Sequence, residues 1–173
     1  MRQRRMRLSI MVAALVMAVV GIPQVVGPRA RADASDTKPL SGGWTQNGSY
    51  LWNGTAQHSG SQQTFDTTMT FDWPDTSGNT MVGHSLAKIH VVMNPDGTGT
   101  ATGFEMFVGS VAGHQGQAIF YNDAKITSFG DYTGTALCVG GSDGLKHLTC
   151  SGSYVGKVND SGHWTGGSYS LDR

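Results

Sequence analysis

The segment from Asn94 to Ile126 restricts the fold more than any other part of the chain. It reads as a turn, a strand, a glycine-rich turn and a second strand, with no room for a helix between them. Asn94-Pro95-Asp96-Gly97 is a hairpin signal, because proline presets φ for the bend and Asp-Gly accepts the conformation that follows. Thr98 to Val108 then pairs back, Gly113 to Gly116 turns again, and Gln117 to Ile126 returns. Two hairpins in direct succession commit the chain to an antiparallel sheet.

The flanking sequence repeats this rhythm. Thr64 to Trp73 alternates with period two: Phe65, Thr67, Met69, Phe71 and Trp73 point one way, and Thr64, Asp66, Thr68, Thr70 and Asp72 the other. That pattern marks a half-buried strand. Ser85 to Met93, Asp131 to Val139, Thr149 to Val158 and Gly162 to Leu171 read as further strands, and Ser49 to Trp52 opens another that continues past Asn53-Gly54. Glycine and threonine are abundant while leucine and glutamate are scarce, a composition that disfavours helix. The expected fold is all-β, an antiparallel meander of about eight strands. With no helix to cover sheet edges, closure into a barrel is favoured, with a β-sandwich as the alternative.

The first 32 residues carry the features of an export leader of bacterial type. Arg2, Arg4, Arg5 and Arg7 precede an apolar run from Leu8 to Val20, and Ala30-Arg31-Ala32 offers a small-x-small cleavage site. The run is shorter than the roughly 20 residues that span a bilayer. The expectation is cleavage after Ala32 and secretion by the general route, with Arg4-Arg5 as a weaker hint of twin-arginine export. Residues 33–47 read as a flexible N-terminal tail and 48–173 as the β-domain. The whole chain balances 12 basic against 12 acidic residues, but six arginines lie in the leader, so the remainder carries 6 against 12. An acidic surface with scattered lysines fits neither nucleic acid nor an anionic membrane. Cys138 and Cys150 are the only cysteines. In an exported chain they are expected to form a disulfide, which stabilises by roughly 3 kcal/mol on the chain-entropy model.

Three segments carry a family resemblance. Pro95-Asp96-Gly97-Thr98 is one, the run Gly103 to Gly116 around Glu105 the second, and Gly140 to Gly152 the third. Together they resemble a bacterial family of uncharacterised proteins with the allene oxide cyclase barrel-like fold. The resemblance covers Gly83 to Leu171, and Gly48 to Val82 loosely. It implies the barrel. It does not imply a reaction, because the family has no assigned chemistry, and the sites of plant cyclases with this barrel are not reproduced here residue by residue. An export leader and two cysteines set this chain apart from members that are mostly cytoplasmic.

Glu105, the only glutamate, shares a strand face with Ala101, Gly103, Phe107 and Gly109. Small neighbours suit a carboxylate lining a cavity, where burial raises its pKa, and equally suit a corner where strands approach closely, with Glu105 outside or bonded to backbone N–H groups. It is the one catalytic candidate. Trp52, Phe65, Met69, Phe71, Phe107 and Phe120 join it as candidate pocket residues, since an eight-stranded barrel either fills with side chains or holds one small ligand. Tyr50, Tyr132, Tyr154, Trp164 and Tyr169 read as surface aromatics able to meet a partner or a sugar. His84 and His90 share a face with Lys88, but stand roughly 20 Å apart along an extended strand and cannot chelate one metal together. No metal or cofactor is expected. The favoured function is binding of a small apolar ligand, or service as an extracellular interaction module. The alternatives are a cofactor-free isomerase or cyclase working on an apolar substrate, and a structural or inhibitory protein that binds another protein through its loops. Oligomeric state is not encoded in any motif.

Overall fold

The computed structural model describes residues 37–47, 51–52, 56–128 and 130–171. The leader, its cleavage site at Ala32, and Tyr50 lie outside the described residues. Eleven strands are present among those described: β1 (Lys38–Pro39), β2 (Gly43–Gln46), β3 (Leu51–Trp52), β4 (Gln57–Ser59), β5 (Gln62–Trp73), β6 (Met81–Met93), β7 (Gly99–Val111), β8 (His114–Ser128), β9 (Asp131–Asp143), β10 (Leu148–Lys157) and β11 (Ser161–Leu171). From β5 to β11 each strand pairs antiparallel with the next, as the turn signals require. The Asn94–Thr98 turn is built as its sequence dictates. Asn94 N–H donates to the Thr98 carbonyl at 2.8 Å, and Gly97 takes a φ of 83°. The Asp96 carboxylate accepts from both the amide and the hydroxyl of Thr98, at 3.0 and 2.7 Å, which holds its pKa below the usual carboxylate range.

The sheet closes into a ring of eight strands through β2, which pairs with β5 on one side and β11 on the other. Thr45 lies opposite both Asp72 and Ser161. Following paired residues around the ring from Gln63 leads through Met93, Gly99, Ile126, Tyr132, Gly156 and Gly162 to Trp44, beside Trp73. The row re-enters β5 ten positions from where it left, the stagger that tilts strands and closes a barrel. The count of eight agrees with the sequence pattern, but the closing member does not. Residues 38–46, expected within a flexible tail, form β1 and β2. Trp44 is the reason: its buried indole gives a four-residue strand an anchor inside the ring. Of the expected strand at Ser49–Trp52, the described residues Leu51 and Trp52 form β3, which pairs with β5 at Thr67 and Thr68 and does not close the ring.

The two ends of the barrel are packed differently. At the end carrying the β5–β6, β7–β8 and β9–β10 turns, Leu40, Met81, Phe107, Val111, Leu145 and Leu148 are buried and form a solid floor. Leu145 reaches this floor from the tight turn after β9, where its amide bonds the Ser142 carbonyl and its own carbonyl accepts from Leu148. The disulfide between Cys138 and Cys150 ties β9 to β10 close by, with Cα atoms 5.0 Å apart. Toward the opposite end, Phe65, Met93, Ile126 and Val158 are only partly buried and surround a cavity.

Candidate functional site

The cavity occupies about 220 Å³ and is walled by two kinds of surface. Strands β5 to β8 supply aliphatic and small side chains, among them Met69, Ala87, Ile89, Val91, Ala101 and Ala124. Strands β2, β9, β10 and β11 supply Trp44, Tyr132, Tyr154 and Trp164. Trp73 and Phe120 join the two walls. The rings contact one another at near-perpendicular angles: Trp44 with Tyr154 at 5.8 Å between centroids, Trp44 with Trp164 at 5.9 Å, and Tyr132 with Tyr154 at 6.0 Å. Such edge-to-face packing is favourable beyond the area it buries.

This aromatic wall is possible because of its glycines. Tyr154 lies opposite Gly134, Tyr132 opposite Gly156, and Trp44 opposite Gly162. A Cβ at any of these glycines would fall 2.5–2.6 Å from a carbon of the facing ring. Each ring therefore lies over a bare stretch of neighbouring backbone, the aromatic-over-glycine arrangement that stabilises glycine in strands.

One charged side chain enters this apolar space. Glu105 sits mid-strand on β7, opposite Ala87 and Phe120, and is 9% exposed. Asn122 Nδ2 donates to its Oε2 at 3.2 Å. Its buried Oε1 accepts no hydrogen bond among the described residues, with the Ser85 hydroxyl nearby. Burial pushes the Glu105 pKa up, while the nearby Ser85 hydroxyl and the Asn122 amide act the other way. Ser85 is itself oriented by Trp73, whose indole N–H donates to the Ser85 oxygen at 3.0 Å. Among the described residues, no lysine, arginine or histidine lines the cavity to compensate the charge. Burial also raises the Tyr132 and Tyr154 phenols, and the Glu105 charge adds to both shifts, so these hydroxyls stay protonated at neutral pH. The Trp164 indole N–H and the Thr67 hydroxyl are further buried polar groups without a hydrogen-bond partner among the described residues.

Of the residues singled out from sequence, Phe65, Met69, Phe71, Glu105 and Phe120 line the cavity together. Phe107 does not. It is fully buried beneath the cavity, against Trp73 and Phe120, and belongs to the floor. The Trp52 side chain lies outside the description. Tyr132, Tyr154, Trp164 and Tyr169 were expected at the surface; they point inward, and the first three form the cavity wall. Trp44 and Asn122 carried no functional signal in the sequence. Strand register shows what the sequence does not: Asn122 lies opposite Gly103, on the same inward face as Glu105. His84 and His90 are exposed on the outer face, where each meets an aspartate of β5, Asp72 and Asp66 respectively.

No family profile and no curated protein matches the sequence. Among solved structures, the fold is similar to a protein of unknown function from the DUF3224 family of Shewanella oneidensis MR-1. The TM-score is 0.63 over 79% of this chain and 98% of that one, at 13% sequence identity. At that identity the likeness speaks for the fold alone: an all-β architecture shared with an uncharacterised bacterial protein.

Proposed function

We propose that this chain is an exported binding protein that takes a small, largely apolar molecule into the barrel and holds one hydrogen-bond-donating group of it on Glu105. The observation that carries this reading is the unpartnered Oε1 of a buried carboxylate facing an apolar cavity. A buried acceptor without a donor costs about 1–3 kcal/mol, which a ligand hydroxyl or amine would recover. A volume of about 220 Å³ exceeds the roughly 150 Å³ that suffices for a benzene ring. The leader supports export with cleavage after Ala32, and the Cys138–Cys150 disulfide fits an oxidising compartment. The resemblance to barrels of the allene oxide cyclase type fits the same closed, hollow architecture.

A second reading, an isomerase or cyclase, is favoured by one observation. Glu105 has its pKa raised in a water-poor site, the condition of a useful general acid or base. The two readings separate by turnover: a carrier returns its ligand chemically unchanged.

Native mass spectrometry of the protein from its own culture medium tests both export and binding. The expected result is a chain starting at Asp33 with a small-molecule adduct. Calorimetry then compares cyclohexanol with its methyl ether, which lacks the donor. The alcohol is expected to bind about tenfold more tightly. Absence of adducts, together with no heat from either probe, would remove the ligand reading.

A further inference from the structure

Beyond the cavity, the outer surface of the barrel is markedly one-sided. Every large apolar side chain that the described residues leave exposed lies on β6, β7, β8 or β9. Strand register assembles them into one patch. Phe104, Tyr121 and Leu137 form one row across β7 to β9. Leu86, Met106 and Ile119 form the next across β6 to β8, with Val139 at the irregularity where β9 shifts register. Val108 extends the patch along β7. Phe104 is 56% exposed and its ring packs against Tyr121 at 5.4 Å, so the two present a joined aromatic surface. Lys88, His90, Thr102, Asp123 and Gln117 border the patch as a polar rim.

The rest of the exterior is different. Outward positions on β5 carry Asp66, Thr70 and Asp72, those on β10 carry Ser151 and Ser153, and those on β11 carry His163 and Thr165. A barrel that crosses a bilayer needs an apolar band around its whole circumference. Among the described residues this one has an apolar face on four of its eight ring strands, which suits a protein surface instead.

We propose that this chain forms a two-fold homodimer through the outer faces of β6 to β9. Side chains of these sizes at these exposures offer on the order of 700 Å² of apolar surface, close to the ~800 Å² per partner of a standard specific interface and above the patch size usual for a monomer. The composition also fits: aromatic and methionine at the centre, charge at the border. A patch lying in a single sheet is self-complementary, because a two-fold axis through it stacks the same sheet face on itself about 10 Å apart. The proposal stands independently of the cavity, whose residues point the other way on the same strands.

Sedimentation velocity on the purified protein, from about 1 to 100 μM, tests it, a range that brackets a micromolar dissociation constant. The wild type is expected to sediment at twice the chain mass. Phe104→Glu and Met106→Lys, both outward-facing, are each expected to weaken association at least tenfold with unchanged near-ultraviolet circular dichroism. Thr165→Lys, on the polar side, leaves the dimer intact. A wild type that stays monomeric throughout the range overturns the proposal. So does a dimer indifferent to both patch substitutions. A monomer that instead floats with phosphatidylcholine vesicles also overturns it and assigns the patch to lipid.

Discussion

At the scale of single residues, Glu105 concentrates the tension in this molecule. It is a lone carboxylate in an apolar interior, held by one amide and one nearby hydroxyl. Its folded pKa is raised above the value in the unfolded chain. Between those two values the unfolded state releases the proton while the folded state keeps it, so stability falls as pH rises through that window and is flat above it. Glu105→Gln removes the titration. The expected outcome is a variant that lacks this loss, so that its stability relative to wild type rises from pH 4 to pH 8. Urea unfolding at stepped pH from 4 to 8 checks it. Parallel curves for the two proteins would show that the carboxylate pays nothing for its position. The sequence grouped Glu105 with Ala101, Gly103 and Phe107 on one strand face and left open whether that face points inward. It could not reveal whether the facing strands would fill the space beside it, since this depends on which residues of β8 and β9 lie across from it.

At the scale of elements, β5 to β8 were legible and β9 to β11 were only half so. On β5 the inward row of Phe65, Met69, Phe71 and Trp73 alternates with threonine and aspartate, so its two faces separate by polarity. On β9 and β10 the inward row mixes glycine with aromatics, as in Gly152, Tyr154 and Gly156, while the outward row of β9 carries Leu137 and Val139. Hydrophobic alternation is then inverted or lost, and Tyr132, Tyr154 and Trp164 look like surface residues. The informative signal is cross-strand: a ring needs a glycine opposite it, and that pairing exists only once register is known. β2 was missed for a related reason, since four residues give too short a period to read. Gly156→Ala tests the pairing. Its Cβ would meet the Tyr132 ring, with the hydroxyl oxygen 2.3 Å away, forcing the ring toward the cavity. The expected cost is about 1–3 kcal/mol by thermal unfolding, with weakened binding of the cyclohexanol probe. Unchanged stability and affinity would mean that the ring moves freely and does not shape the wall.

At the scale of the whole molecule, the barrel is a cup with a packed floor and a hollow upper half. This division predicts a gradient in local stability, because opening free energy follows the density of buried contacts. Backbone amides in the rows around Met81 and Val111 are expected to exchange slowest, approaching the rate set by global unfolding. Those in the rows around Met93 and Gly99 are expected to exchange faster by at least tenfold and to gain protection when the cavity is occupied. Hydrogen exchange with and without cyclohexanol measures both effects. Uniform protection across the two ends would indicate that the upper half is as tightly packed as the floor.

The seam at β2 has a consequence for how such a chain reaches its native state. The ring is closed by its second strand meeting its last, Thr45 against Ser161, across most of the sequence. Hairpins from β5 onward can form as soon as each pair of strands exists, whereas the seam pairs segments separated by all of them. Non-local pairings of this kind bear the entropy of a long loop before any contact rewards it. Closure is therefore expected to be the late event in folding. Until β11 arrives, the Trp44 segment has no second strand to join, and the unclosed sheet presents two raw edges for a chaperone, or for another unfinished copy, to occupy.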